Sequence, residues 1–302
     1  MRIAITGANG TIGKFLLPTL TTEGHQVVRL VRRYASERNP HVQWSPEEGW
    51  IDCDKLGLVD AVIHLGGEPV ADGKWTADKK KRIHDSRTEG TGLLAAAMAR
   101  QRPKPKVVIC ASAIGFYGDR GATELREDAP QGEGFLAQVC ADWEQAAAVL
   151  HEEGVRTAHL RFGLVLSGKG GAIDKMLPIF KKGLGGRLGS GKQYMSWVSV
   201  RDVVKAIRHV LYSNTLSGPI NVTGPEPVTN AVFTRVLGRA INRPTLLPAP
   251  RFALRAAFGE MADETLLAST RALPQKLEDD GFEFTHRTIH SAMRSALSQI
   301  DL

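Results

Sequence analysis

Arg2-Ile3-Ala4-Ile5-Thr6-Gly7-Ala8-Asn9-Gly10-Thr11-Ile12-Gly13 opens the chain, and its reading decides the fold. A short apolar run passes directly into glycines at 7, 10 and 13. Phe15, Leu16, Leu17 and Leu20 then mark one helix face, and His25 to Val31 resumes strand character. Strand, glycine turn, helix and strand make one βαβ unit. Each glycine has a physical task. The first lets the chain turn off the strand, the second leaves bare backbone for a pyrophosphate, and the third lets helix and strand pack closely. The helix amino terminus faces the phosphates with unpaired N–H groups and its positive dipole end. In this setting the G-x-x-G-x-x-G spacing reads as a dinucleotide-binding turn and not as a ligand-free surface loop. Gly7, Asn9, Gly10, Thr11, Ile12 and Gly13 are its candidate contacts.

The end of the second strand selects the dinucleotide. A carboxylate there would accept from the ribose 2′-hydroxyl of NAD, but the chain has Val31, Arg32 and Arg33, with the next acid at Glu37. Two guanidiniums suit a 2′-phosphate by charge and by bidentate geometry, so NADP(H) is the expected cofactor and Arg32 and Arg33 its candidate ligands.

At 302 residues, 42% hydrophobic and 24% charged, the chain can bury a substantial core and suggests about two domains. No run approaches the ~18 apolar residues of a membrane span, and Arg2 beside an immediate strand does not resemble a signal peptide. A cytoplasmic protein with no membrane partner is expected. Cys53, Cys110 and Cys140 form no paired motif, which argues against a disulfide framework or a metal site. The net charge of +7 comes from basic residues that look scattered along the chain. The densest runs, Lys79 to Arg82 and Arg100 to Lys106, lack interleaved aromatics and read as solvated faces, so no nucleic-acid partner is expected.

Beyond the first unit, Val42-Gln43-Trp44 is a candidate short strand. Asp60 to Glu68 gives a buried strand that ends on Leu65, Gly66 and Gly67, where backbone can approach the cofactor. His64, flanked by apolar strand residues, reads as a hydrogen-bonded core histidine. A helix over Trp75 to Ala99 is expected to break near Gly90. Lys106 to Ser112 is the next strand, and its end, Ser112 to Asp119, places Ser112 and Tyr117 at the ligand crevice of a doubly wound sheet. Phe135 to Glu153 reads as one amphipathic helix and Thr157 to Leu166 as one strand. This alternation means a parallel sheet. From Ser167 to Gly191 glycine is dense and lysines and arginines accumulate, as in a mobile substrate loop. Within it, Gly186 to Gln193 nearly spells a P-loop, but Gln193 stands where Ser or Thr is required. Pro225 to Leu302 is helical with proline punctuation. The expected fold is therefore α/β, a Rossmann doubly wound parallel sheet with a smaller, mostly helical C-terminal substrate domain. We divide it at 1–223 and 224–302, with 167–196 as an inserted substrate loop.

These landmarks in this order resemble the extended short-chain dehydrogenase/reductase superfamily. The likeness is carried by the amino-terminal glycine turn, Val62 to Gly67, Ser112-Ala113 to Tyr117-Gly118, and Trp197 to Asp202 before a helix. Gly67-Glu68-Pro69-Val70, Ser86-Arg87, Cys140 to Glu144, Gly170-Gly171-Ala172, Lys175 to Pro178, Gly183 to Gly186, Gly189-Ser190-Gly191 and Arg271 to Pro274 further resemble its atypical "epimerase family protein" branch. The resemblance implies NADP(H) at the strand ends, substrate between core and C-terminal domain, contacts from Leu164 to the nicotinamide side, and Arg87 directed to a phosphate or ribose.

One family feature is missing. Active members place a Tyr-x-x-x-Lys pair on the helix after the Ser strand, where the ammonium lowers the phenol's pKa. Aligning Glu144 with the acid found four residues beyond that lysine puts Leu136 at the tyrosine and Cys140 at the lysine. Ser112 and Tyr117 remain as candidate catalytic residues, and Glu124, Glu127 or Asp128 could serve as a base. Met195 stands where sugar-nucleotide enzymes carry an arginine, so the small-molecule substrate is not expected to be a nucleotide sugar. The expectation is an NADP(H)-dependent oxidoreductase or epimerase. The alternative is a non-catalytic NADP(H)-binding sensor or scaffold. Monomer and homodimer both remain open.

Overall fold

The computed structural model describes residues 1–33 and 41–298. Its centre is an eight-stranded sheet. From one edge the strands run Gly218–Val222, Arg156–Phe162, Val107–Ala113, Ala61–His64, Arg2–Thr6, Gln26–Val31, His41–Ser45 and Trp50–Ile51. Every neighbouring pair is parallel except the last, which is an antiparallel hairpin edge. Arg2–Thr6 pairs with Gln26–Val31 on one side and with Ala61–His64 on the other. The strand order reverses there, and the ligand crevice of such sheets lies at the carboxyl ends beside that reversal.

The strands are apolar on both faces because helices cover both. Ile3, Ile5, Ile63 and Ile109 pack with Leu16 and Leu20 of helix Gly13–Thr22 and with Val203, Ile207 and Val210 of helix Val200–Tyr212. Ala4, Val62 and Val108 face the opposite layer, where Leu94, Ala95 and Met98 of helix Ala77–Arg100 lie with Trp44 and Leu150. Adjacent residues thus point to opposite cores, the period-2 signature of a strand buried on both sides.

Four local expectations change. Helix Ala77–Arg100 runs through Gly90 without a break. A Cβ at Gly90 would lie 3.5 Å from the Trp44 ring and 3.8 Å from His64, so the glycine serves close packing. The Phe135 to Glu153 helix divides into Phe135–Gln145 and Ala148–Glu152. The strand after it divides at Gly163 into Arg156–Phe162 and Leu164–Leu166, because a Cβ at Gly163 would meet the Ser196 carbonyl oxygen at 2.4 Å. The 167–196 segment is more than a loop. Ile173, Leu177 and Phe180, at i, i+4 and i+7, bury one face of helix Ala172–Lys181 against Phe233, Leu237, Ile289 and Met293. This inserted helix thereby packs with the C-terminal helices Asn230–Ala240 and Ile289–Leu297.

Two polar locks set the frame. His64 is fully buried, with Nδ1 2.7 Å from Thr6 Oγ1. That hydroxyl already accepts from the N–H groups of Leu65 and Gly66, so it donates to Nδ1 and the imidazole carries its proton on Nε2. Burial, and then the nearby Arg87 charge, push the His64 pKa down to about 4. Elsewhere Asp202, in the first turn of helix Val200–Tyr212, accepts from the backbone N–H groups of Thr285 and His286 and from Ser199 Oγ. His286 Nδ1 lies 3.2 Å from the same carboxylate. Ser, His and Asp meet here, but the serine proton goes to Asp202 and not to the imidazole, and all three are buried. The cluster pins the C-terminal segment to the sheet domain.

Asp202→Ala, which strands the buried His286 N–H and removes the acceptor of the Thr285 N–H and the Ser199 hydroxyl, should therefore destabilise the protein by about 2–3 kcal/mol in denaturant unfolding, and Asp202→Asn, which keeps one acceptor, by less. The histidine gives a pH signature. Between pH 6.5 and 4 the unfolded chain protonates His64 and the folded chain does not, so stability should fall as pH falls through this window and level off above it. Melting temperatures of His64→Gln against wild type over that range should show a pH slope shallower by up to one proton.

Candidate functional site

The glycine turn follows directly on the Arg2–Thr6 strand. Gly7 has φ +68°, and a Cβ on it would stand 2.7 Å from the Leu65 carbonyl carbon. A Cβ at Gly13 would stand 2.5 Å from the Gly7 carbonyl oxygen, inside the strand-to-helix contact. Gly10 differs, since a Cβ there would meet only the Gly7 oxygen, at 3.2 Å, with open space beyond. Two glycines thus permit close packing and one keeps backbone open. The helix behind them begins at Gly13 after Ile12, has no side-chain cap and carries no acid in its first turn. The N–H groups of Lys14, Phe15 and Leu16 already donate to the Gly10 and Ile12 carbonyls, and the positive end of the dipole, with the N–H groups just ahead of Lys14, is left for an anion. Thr11 faces Gly170 and Gly171, which lead into helix Ala172–Lys181.

Leu65, Gly66 and Gly67 are held beside this turn by Thr6, whose hydroxyl accepts from the first two. The Arg87 guanidinium lies against Gly67, 3.3 Å from where a Cβ would sit. It donates to the Glu68 and Ile83 carbonyls and stacks 4.9 Å from the Trp143 ring centroid. No carboxylate pairs with it among the described residues, and burial pulls its pKa down. Asn9 Oδ1 accepts from Arg29 Nη2 at 2.6 Å, a third arginine beside the turn. Arg32 and Arg33 follow the second strand and are both exposed. Glu68, whose pKa is lowered first by the Lys79 ammonium bonded to it, also feels the Arg32 charge. Glu37 falls outside the described residues. Leu164 donates its N–H to Ser196 and pairs with Trp197 in the short ladder that leads toward the C-terminal helices.

The two candidate catalytic residues separate. Ser112, at the end of Val107–Ala113, donates from Oγ to Glu144 Oε1 at 2.7 Å. Tyr117 was expected at the crevice, and the structure corrects this. The 3-10 turn Ile114–Tyr117 drives the ring into a small core with Leu125 and Ala272, where it is fully buried. Its hydroxyl donates to Asn221 Oδ1 at 2.8 Å and accepts from Arg161 Nη1 at 2.9 Å. Burial pushes the phenol's pKa up. A side chain so tied cannot swing out to exchange protons. The loop acids do not replace it. Glu127 Oε1 accepts from the buried Asn221 N–H and the half-buried Lys276 N–H, and Glu124 pairs with Arg271.

Arg161 joins these parts, with Nε and Nη2 reaching the two oxygens of Glu144, each at 2.8 Å, and Cζ 3.5 Å from the Phe116 ring centroid. Sequence reading left out Thr6, Arg29, Arg161 and Asn221. Their signal was a polar residue within or at the end of an otherwise apolar strand. Leu136 and Cys140, one turn apart on helix Phe135–Gln145, pack beneath Gly115. Burial pushes the Cys140 thiol up to about 12, so it stays protonated and is no nucleophile.

The profile of the NAD dependent epimerase/dehydratase family matches residues 3–224, and that of a domain of unknown function, DUF1731, matches residues 249–296. Epimerase family protein Mb2239 of Mycobacterium bovis is 46% identical over 297 residues, 98% of each chain. Epimerase family protein YfhF of Bacillus subtilis is 37% identical over 99% of this chain and 98% of its own. The crystal structure of human epimerase family protein SDR39U1 with NADPH superposes with a TM-score of 0.90 at 28% identity, covering 99% of this chain and all of that one. With the family profile matched over residues 3–224 and relatives 46% and 37% identical over nearly the whole chain, the chain belongs to the NAD dependent epimerase/dehydratase family, in the branch of the epimerase family proteins.

Proposed function

We propose that this chain binds NADP(H) across the glycine turn and acts as an oxidoreductase or epimerase on a small carbonyl or hydroxyl substrate. The observation that carries the reading is the pairing of open Gly10 backbone and an uncapped helix amino terminus with arginines at the second strand end. SDR39U1, structurally alike over its full length, was crystallised with NADPH, which supports the same cofactor here. The turn would hold the pyrophosphate, Arg32 and Arg33 the 2′-phosphate, and Leu65 to Gly67 with Arg87 the ribose side. When bound, the nicotinamide supplies or accepts a hydride.

The chain's own part in the chemistry is confined to Ser112. Its proton is committed to Glu144, so its oxygen offers lone pairs and can orient a substrate hydroxyl by accepting from it. A second reading, a non-catalytic NADP(H) sensor, is favoured by a specific observation: Leu136, Cys140 and sealed Tyr117 leave no side chain of suitable pKa where the family's tyrosine acts.

Two measurements test this. In nicotinamide-fluorescence titrations Arg32→Ala/Arg33→Ala should weaken NADPH binding roughly 10–100-fold and leave NADH binding nearly unchanged. Equal losses for both nucleotides would remove the 2′-phosphate assignment. NADP⁺ reduction with a panel of small alcohols should then be slowed about tenfold or more by Ser112→Ala, with NADPH affinity retained. Tight binding without turnover by wild type across the panel would favour the sensor.

A further inference from the structure

The basic residues that look scattered along the chain are gathered by the fold. Residues 175–201 and 227–259 together carry eleven Lys and Arg and no Asp or Glu, and the rest of the chain holds 28 Lys and Arg against all 32 acids. The protein's whole positive surplus therefore lies in these two stretches. They lie side by side. Leu188 bridges Ala249, Ala249 donates its N–H to Arg187 at 2.9 Å, and Arg243 Nε donates to the Lys181 carbonyl at 2.9 Å. Of the eleven cations only Lys175 and Arg255 find a carboxylate among the described residues, Asp72 and Asp263.

The same stretches hold six of the nine large apolar side chains left exposed among the described residues: Ile179, Leu184, Leu246, Leu247, Phe252 and Phe258. Leu246 is 84% exposed and Phe252 76%. The segment bearing them is punctuated by Pro244, Pro248 and Pro250, which hold it extended before helix Arg251–Phe258. Beside Leu246 a cleft of about 310 Å³ is lined by Arg187, Arg235, Thr234 and Thr245. Two guanidiniums and two hydroxyls form a donor set for a phosphate, and Leu246 stands out at its edge.

We propose that this face docks on an anionic lipid bilayer, with Arg187 and Arg235 at headgroup phosphates and Leu246, Leu247 and Phe252 entering the boundary between headgroups and acyl chains. Interfacial binding needs this combination, apolar side chains that protrude within a field of unpaired cations. A second copy is a poor occupant, since an isologous contact would bring two acid-free faces together. A nucleic acid would answer the charge but leave the leucines and Phe252 in water. The inference is independent of cofactor chemistry, and no helix among the described residues is long and apolar enough to span the membrane itself.

The test is co-sedimentation of the full chain with phosphatidylcholine vesicles made with and without phosphatidylglycerol, at low and high salt. Binding is expected only to the anionic vesicles and should weaken with salt. Leu246→Asp/Phe252→Asp and, separately, Lys181→Glu/Lys182→Glu/Arg243→Glu should each lower the bound fraction at least about tenfold. All these side chains are exposed, and an unchanged far-UV circular dichroism spectrum and melting temperature report that each variant is folded. Absence of binding to either vesicle overturns the proposal, and does so even more plainly if the protein instead binds polyglutamate, which would make the occupant an acidic protein. Anionic binding that Leu246→Asp/Phe252→Asp leaves intact overturns it too, because the attraction would then be charge alone.

Discussion

The buried ion pair between Arg161 and Glu144 holds the carboxyl ends of the strands in place. Arg161 comes from the strand Arg156–Phe162 and Glu144 from the helix Phe135–Gln145, and the two meet through paired 2.8 Å bonds. The same guanidinium donates to Tyr117, and the same carboxylate accepts from Ser112. Tyr117 then reaches Asn221 on the edge strand. Burial pulls the Arg161 pKa down, and Glu144 more than offsets it. Losing either partner would leave an uncompensated buried charge, a defect of about 3–5 kcal/mol. Polar groups near the strand ends are thereby tied into the structure's own hydrogen bonds.

How far the sequence could be read follows from the range of the forces involved. The βαβ unit and its glycines were legible because turn geometry, strand alternation and helix start are local. The carboxyl-end location of Ser112 followed from the parallel sheet. Tyr117 was misread because one 3-10 turn decides whether its ring faces the crevice or the core, and neighbouring Phe116 gives no periodic clue. Helix Ala172–Lys181 was hidden because Gly168, Gly170 and Gly171 before it and Gly183, Gly185 and Gly186 after it outweigh its three buried apolar positions. Gly90 is the converse case. Its propensity says break, but the packing of Trp44 and His64 against it says continuous helix, and tertiary contact prevails.

Charge was the least legible property. Along the chain the surplus sits in two acid-free stretches, 175–201 and 227–259, that lie apart in sequence. The fold joins them, because the inserted segment 167–196 and the segment 227–259 build one module though the strand Trp197–Ser199, the helix Val200–Tyr212 and the strand Gly218–Val222 intervene. A surface field is a property of contact order as much as composition, so net charge alone gives it no location.

Cys140 and the buried Arg87 share one pocket. Arg87 acts electrostatically on Cys140, its guanidinium stacks on Trp143 one helical turn further on, and no carboxylate pairs with it among the described residues. A lysine at position 140 would add a second desolvated cation to that pocket, and the like-charge repulsion would lower the pKa of one or expel it. The site accommodates one cation there, and this chain supplies it from the helix Ala77–Arg100 instead of the helix Phe135–Gln145. With that cation held on the neighbouring helix, a neutral thiol and a leucine fill the space against Gly115.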